Sequence, residues 1–148
     1  MRRAALLFLI ATACLPLAGQ SPASSPAGRW KTIDDATGHA KAIVLLSEQN
    51  GVVSGSIEKV LESEQNTPNP VCLKCEGDLR NRPLAGLRIL WDLKHVGAEW
   101  TAGQILDPKS GKVYRCTLSL TDGGRTLKVR GYIGMAMLGR TQLWQRVN

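Results

Sequence analysis

Polar and apolar side chains alternate along the second half of this 148-residue chain. In residues 112–120 one face would carry Tyr114, Cys116, Leu118 and Leu120, and the other Val113, Arg115, Thr117 and Ser119. A period of two places successive residues on opposite faces of a β-strand, so this stretch predicts a strand with one face toward a core. The clusters DPKSG at residues 107–111 and TDGG at residues 121–124 are typical of tight turns and bound the strand on both sides.

The same pattern predicts eight strands and no amphipathic helix. The first strand begins at Gly28 and ends at a turn over residues 34–38. Asn50 and Gly51 mark a hairpin, because both central residues of such a turn need a positive φ. GMAMLG at residues 134–139 marks a further reversal. The remaining strands are predicted at residues 40–48, 52–61, 86–93, 99–106, 112–120, 126–135 and 139–147.

Eight short strands joined mostly by hairpins predict an all-β fold. We expect an eight-stranded up-and-down antiparallel barrel, because closure removes exposed sheet edges; a two-sheet β-sandwich is the alternative. A barrel of this size holds either packed side chains or one small ligand. The one long irregular segment, residues 62–83, contains Pro68, Pro70, Pro83 and the pair Cys72 and Cys75. We expect it over one end of the barrel or along its side.

The N-terminus has the pattern of a secretory signal peptide. Arg2 and Arg3 precede an uncharged apolar run at residues 4–13, and small residues follow. We predict a signal peptide at residues 1–20, a disordered Ser/Pro/Ala linker at residues 21–27 and one barrel domain at residues 28–148. The protein would then be exported to the periplasm or the exterior. ATAC at residues 11–14 resembles a lipobox, so a lipoprotein anchored through Cys14 is the alternative.

Charge argues against one class of partner. The chain has 19 Lys and Arg against 12 Asp and Glu, a net charge of +7 that falls to +5 without Arg2 and Arg3. No run of five like charges occurs, so nucleic-acid binding is a poor interpretation. A weak attraction for anionic lipid or envelope polymers is compatible with this charge. We expect a monomer, with an envelope partner as an open alternative.

Five ordered motifs resemble a bacterial family, domain of unknown function 2147. They are GRWKTIDD at residues 28–35, CLKC at 72–75 followed by RPLAGL at 82–87, ILDPKSGKVY at 105–114, RGYIG at 130–134 and LGRTQLW at 138–144. The resemblance implies a secreted envelope β-barrel similar to lipocalins and calycins. The family has no established reaction, so it implies no catalytic residue. The chain is also similar to lipocalins in carrying Gly28-x-Trp30 at its start and Arg146 near its end, which implies a structural cation–π clasp between Trp30 and Arg146.

The cysteines leave several interpretations open. Cys72-x-x-Cys75 fits a structural disulfide in an oxidising envelope, a redox pair or part of a metal site. Glu76 and Asp78 lie close by and would raise a thiolate pKa, which disfavours redox chemistry. A bond from either cysteine to Cys116 is the alternative pairing; we favour the local pair, with Cys116 as a small core residue. A zinc site would need His39 or His95 as well, and we expect both to be solvated beside turns.

Aromatic and arginine side chains are the candidate ligand-binding groups. They are Trp91, Trp100, Arg130, Tyr132, Arg140 and Trp144. Arginines beside aromatic rings suit an amphipathic anion such as a fatty acid, because Arg binds carboxylates bidentately and rings form apolar walls. In the alternative interpretation the tryptophans fill the core and the arginines lie on the surface or in the clasp. There is no Gly-x-Ser-x-Gly elbow and no phosphate-loop spacing, and we predict no catalytic residue, metal or cofactor.

Three functions follow as hypotheses. The first is a non-catalytic binding module for a small apolar or amphipathic, optionally anionic, ligand. The second is a structural or interaction protein of the envelope with a filled barrel. The third and weakest is a thiol oxidoreductase that uses Cys72 and Cys75. A cavity of a few hundred cubic ångströms would favour the first hypothesis over the second.

Overall fold

A closed antiparallel barrel forms the fold in the computed structural model, which describes residues 25–135 and 138–148. Each strand pairs with the next, and β8 pairs back with β1. The strands are β1 Gly28–Ile33, β2 Ala40–Gln49, β3 Val52–Val60, β4 Arg88–Val96, β5 Glu99–Asp107, β6 Lys112–Thr121, β7 Thr126–Tyr132 and β8 Arg140–Val147. Single 3₁₀ turns lie at Gly77–Leu79 and Asp122–Gly124. The predicted up-and-down barrel is confirmed, and the β1–β8 pairing rules out the sandwich.

Three strand boundaries differ from the prediction by two or more residues, and one of them is the end of β4, which lies at Val96 rather than at residue 93. β4 begins at Arg88 rather than at residue 86, because Gly86 has a φ of 85° and its amide donates to the Ile57 carbonyl instead of extending the strand. β7 ends at Tyr132 rather than at residue 135, and Gly134, with a φ of 71°, starts the reversal. Asn50 and Gly51 have φ values of 52° and 74°, as their hairpin requires.

The segment before β1 is folded where the structure describes it. Pro26 is buried, and its carbonyl oxygen accepts a 2.8 Å hydrogen bond from Trp30 Nε1. Residues 25–27 therefore supply carbonyl oxygens to Trp30 and Arg146, whereas the linker predicted at residues 21–27 stays a prediction. The predicted signal peptide at residues 1–20, Cys14 and residues 21–24 lie outside the described part of the chain.

The barrel has two unlike ends. The start of β1, the end of β8 and the β2–β3, β4–β5 and β6–β7 turns lie at one end, the closed end. The β1–β2, β3–β4, β5–β6 and β7–β8 connections lie at the other, the open end. Side chains that are no more than 2% exposed pack the barrel away from the open end, among them Trp30, Leu46, Val53, Leu90, Leu93 and Leu118. Leu46 and Leu93 occupy the spaces that β-carbons on Gly55 and Gly103 would need, so this half is filled.

The connection between β3 and β4, residues 61–87, is the cysteine loop. It folds back on itself through a bridge between Val71 and Pro83, and the Cys72 amide donates to the Arg82 carbonyl. The side chains of Cys72 and Cys75 are buried in the same apolar cluster as Leu106 on β5. The loop therefore packs beside the open end, which agrees with its predicted place.

Among residues 25–135 and 138–148 we find no helix with the length and apolar content needed to span a membrane.

Candidate functional site

A cavity of about 690 Å³ opens at the open end of the barrel. Residues from all four connections at that end line it, and residues of the closed-end turns do not. Its deeper wall is apolar and includes Val44, Ile57, Ile89, Ile105, Val129 and Trp144. A concave, mostly apolar space of this size is typical of small-molecule sites.

Gly131 on β7 explains part of the empty space. The inner face of this strand carries Leu127 and Val129, and alternation places Gly131 next on that face. A β-carbon there would lie 3.6 Å from both Ile105 Cγ2 and Tyr114 Cβ, which is ordinary contact. Unlike the spaces beside Gly55 and Gly103, this one is therefore not filled by a neighbouring leucine. The missing side chain leaves room between the strands that carry Tyr114 and Gln142.

Gln142 is a polar group of the cavity wall with a fixed orientation. Its Oε1 accepts a 3.1 Å hydrogen bond from Trp144 Nε1, and Trp144 is 2% exposed. An indole nitrogen can only donate, so the amide oxygen must face the indole. The amide nitrogen of Gln142 has no protein partner within the described residues.

The charges around the cavity are balanced. The lining contains the cations Lys41, Lys74, Lys109 and Arg140 and the anions Asp34, Glu62, Glu64 and Asp107. Three of the cations are within ion-pair distance of a carboxylate: Arg140 with Asp35 at 2.6 Å, Lys109 with Glu64 at 2.7 Å and Lys41 with Glu62 at 3.4 Å. The hydrogen bond from Lys109 lowers the pKa of Glu64, and the bond to Asp35 raises the pKa of Arg140. The site therefore has no net positive charge with which to hold an anion.

The disulfide lies beside the cavity. Cys72 and Cys75 are bonded, which confirms the predicted local pair. The two residues between them, Leu73 and Lys74, line the cavity, whereas the cysteines are at most 1% exposed. Thiol exchange requires access of an attacking thiolate to sulfur, so this burial argues against a redox function. Cys116 is unpaired and buried.

Trp30 and Arg146 meet at the closed end. The Arg146 guanidinium carbon lies 4.3 Å from the centroid of the indole. Arg146 Nε, Nη1 and Nη2 donate to the carbonyl oxygens of Gly124, Ala27 and Ser25 at 2.7, 2.9 and 3.1 Å, and burial lowers the pKa of the guanidinium. A β-carbon on Gly28, whose φ is 132°, would lie 2.7 Å from Arg146 Nη1. The glycine two residues before Trp30 therefore gives the guanidinium room to reach the indole.

Comparison with known proteins places this barrel in a family. The model of a family described as an uncharacterized protein conserved in bacteria (DUF2147) matches residues 28–146. The chain belongs to the DUF2147 family. A disulfide in this bacterial protein suggests an oxidising compartment.

One solved structure supports the fold. HP1028 of the human pathogen Helicobacter pylori, described as belonging to the lipocalin family, superposes with a TM-score of 0.71 and 21% sequence identity over 84% of each chain. The likeness shows that this DUF2147 protein has a lipocalin-like barrel. The search of curated proteins returned no match.

Three of the six predicted ligand-binding residues line the cavity of this DUF2147 protein. Trp144 forms part of the deeper wall, and Tyr132 and Arg140 lie where β7 ends and β8 begins. They come together because the chain between those strands turns at the open end. Whether they bind a ligand stays a prediction.

The other three predicted residues do not reach the cavity. Trp91 is half-buried and donates to Gln104, and Trp100 is buried beside the β4–β5 turn, stacked on His95 at 4.7 Å. Arg130 alternates with the inward-facing Val129 and Gly131, so it faces away from the interior and donates to Thr141 at 2.9 Å. Sequence reasoning also overlooked Gly131 and Gln142. The alternation of Leu127, Val129 and Gly131 indicates in the sequence that Gly131 faces the interior. A single glutamine on a strand gives no comparable indication that it lines a cavity.

No metal site is formed by the described residues. Nowhere in residues 25–135 and 138–148 do three His, Cys, Asp or Glu side chains converge. His39 is exposed and lies 3.3 Å from Glu62, while His95 stacks on Trp100. Neither histidine approaches the cysteines in a way that would form the zinc site considered above.

Proposed function

We propose that this protein is an exported, non-catalytic binding barrel that holds one small, largely apolar molecule in its open-end cavity. The main support for this proposal is the difference in packing between the two halves of the barrel. One half is filled by Leu46, Leu93 and their neighbours, and the other contains a cavity of about 690 Å³.

Apolar surface left uncovered at the open end has a stability cost, since burying it would contribute about 25 cal/mol per Å². A barrel selected only for stability would fill the cavity, as the closed half does. The volume lies within the roughly 300–1,000 Å³ of typical ligand pockets. Ile57, Ile89 and Val129 supply the apolar surface that such a ligand would bury.

Export is part of the proposal. Arg2, Arg3 and the apolar run at residues 4–13 support it, as does the Cys72–Cys75 disulfide, because disulfides persist in oxidising compartments. The location would be the periplasm or the exterior, with anchoring through Cys14 as the alternative. Intact mass measurement of the envelope fraction tests this: loss of about twenty residues supports export, and a species that retains Met1 contradicts it.

The test of binding fills the cavity without disturbing the rest of the barrel. A Gly131→Leu change places its side chain in the empty space, because the β-carbon makes only 3.6 Å contacts and the backbone φ is not positive. The matched control is Gln145→Leu, which adds the same side chain at an exposed position on β8. Both variants should fold, with thermal unfolding as the check.

The measurement is a titration with an uncharged, environment-sensitive apolar fluorophore. We expect saturable binding to the unchanged protein and to Gln145→Leu, and at least a tenfold loss in Gly131→Leu. No saturable binding to any of the three, or equal binding to the two variants, would refute the proposal.

A second candidate function is supported by the exposure of apolar side chains around the open end. Ile133, Leu138 and Leu73 are 64%, 77% and 54% exposed and line the cavity entrance. An interaction protein of the envelope would use such a surface to contact a partner. In that case an Ile133→Ser, Leu138→Ser double variant would lose cross-links to an envelope protein in cells while fluorophore binding stayed unchanged.

A further inference from the structure

Gln142 is oriented so that it can donate a hydrogen bond to a molecule in the cavity. Its oxygen is committed to the buried indole of Trp144, at 3.1 Å. Its NH₂ group has two hydrogens and no protein partner within the described residues. This nitrogen is accessible from the cavity, so a ligand atom that accepts from it would replace water there and gain one net hydrogen bond.

The position of Gln142 suits this role. It pairs with Val129 on β7, and the next pair on the same face of these two strands is Arg140 with Gly131. Because Gly131 has no side chain, the space next to Gln142 is open. Tyr114 borders the same gap from β6, with its β-carbon 3.6 Å from where a Gly131 β-carbon would lie. The amide therefore lies on the cavity wall beside the space that Gly131 leaves open.

The electrostatics of the cavity disfavour a charged head group. Arg140 donates from both Nε and Nη2 to Asp35 Oδ2, at 2.9 and 2.6 Å, so a carboxylate compensates its charge. Lys109 and Lys41 are likewise paired, and Lys74, the fourth cation of the lining, is matched in number because the lining also holds four carboxylates. A carboxylate that left water for this site would meet balanced charges, and burying an unpaired charge costs far more than burying a neutral carbonyl.

From these observations we infer the ligand class: an apolar molecule that carries one uncharged hydrogen-bond acceptor, such as an ester, amide or ketone carbonyl, with the Gln142 amide as its donor. This inference rests on the proposed function, because it concerns the same cavity. It replaces the anionic ligand expected from the arginines with a neutral one. Gln142 would then determine specificity, and the apolar wall would supply most of the affinity.

The test compares three competitors that share one alkyl chain: methyl laurate, laurate and dodecane. Each displaces the uncharged fluorophore from the unchanged protein, from Gln142→Met and from the control Gln145→Met at an exposed position on the same strand. We expect methyl laurate to bind about 3- to 10-fold more tightly than dodecane, the range expected for one net hydrogen bond, and more tightly than laurate. In Gln142→Met the ester should lose its advantage over dodecane, while dodecane binds as before.

A further variant, Gln142→Glu, keeps an acceptor for Trp144 Nε1 while removing the donor. It separates loss of ligand binding from loss of the indole contact, because the ester should lose its advantage in this variant too. Laurate binding at least as tightly as the ester, or an ester advantage that persists in Gln142→Met, would overturn the inference. If the fluorophore and dodecane bind and the ester has no advantage, this inference alone fails. If no probe binds, the proposed function fails with it.

Discussion

The backbone carbonyl of Lys74 lies in the space that a β-carbon on Gly111 would need. This contact joins the cysteine loop to the β5–β6 turn. Two further contacts join the same segments: Cys72 Sγ lies 3.6 Å from the Pro108 carbonyl oxygen, and Lys109 forms an ion pair with Glu64. Because Lys74 lines the cavity, the turn helps to position the cavity entrance.

A Gly111→Ala change should therefore detach the cysteine loop from the turn. The methyl group would overlap the Lys74 carbonyl, and the φ of 74° adds backbone strain of about 1 kcal/mol. We expect faster hydrogen exchange and proteolysis in residues 61–87, with the barrel still folded. Gly51→Ala is the matched control, since Gly51 also has a φ of 74° and a β-carbon there would contact nothing. Equal loop exchange in the two variants would contradict the role of the Lys74 contact.

Reduction of the disulfide should loosen the same loop and spare the barrel. The bond joins residues three apart, and a loop this short removes only about 2 kcal/mol of unfolded-state entropy in the chain-entropy model. The eight paired strands do not depend on it. Hydrogen exchange should rise mainly in residues 61–87 when the protein is reduced, and the melting temperature should fall by several degrees at most. Loss of all cooperative unfolding on reduction would show that the barrel needs the bond.

The barrel was predictable because alternation and turn residues leave local signals. Asn50 and Gly51 are an example of such a turn signal, since both residue types tolerate the positive φ that the hairpin requires. The Gly28-x-Trp30 motif could also be recognised in the sequence. Its glycine is required there, because a β-carbon on Gly28 would approach the Arg146 guanidinium too closely.

The cavity left a weaker signal. Empty space is a property of facing strands, so it depends on which face of each strand points inward. Residue type alone suggests Trp91, Trp100 and Arg130, but the strand register places them away from the cavity. Gln142 became visible only when the structure placed its oxygen against Trp144 and left its nitrogen without a protein partner among residues 25–135 and 138–148.

The clasp at the closed end should be energetically coupled. Trp30 is fully buried, so Trp30→Ala should cost about 3–5 kcal/mol of unfolding free energy. Arg146→Ala loses the 4.3 Å contact with the indole and three hydrogen bonds to backbone carbonyls. The double variant should cost about 1–2 kcal/mol less than the sum of the two single changes, because contacting residues share one interaction. Urea unfolding of all four proteins measures this.

An Arg146→Lys variant keeps the charge and tests whether the planar group matters. A lysine ammonium is a single nitrogen and cannot reach the three carbonyl oxygens that the guanidinium bonds, so Arg146→Lys should recover little of the stability lost in Arg146→Ala. Additive losses from Trp30→Ala and Arg146→Ala would show that the stacking contributes nothing measurable.

Cys116 lies on β6 with its thiol fully buried. Burial raises its pKa from an ordinary value near 9.0 to about 12. Between these two values the unfolded chain loses the thiol proton and the folded protein keeps it. The folded state then binds more protons than the unfolded state, so its stability must fall as pH rises, by up to about 1.4 kcal/mol per pH unit.

Lysine and tyrosine residues also titrate in this range, and a Cys116→Ala variant separates their effect from that of the thiol. Those residues are common to both proteins, so their contribution cancels when the unfolding free energy of the variant is subtracted from that of the unchanged protein at each pH. The difference should be constant below pH 8 and should shrink by about 2 kcal/mol by pH 10.5, following the linkage relation for one thiol. Urea unfolding with the Cys72–Cys75 bond intact measures it. A difference that stays constant up to pH 10.5 would mean that the folded protein ionises Cys116 as easily as the unfolded chain does, and that the β6 face is open to water.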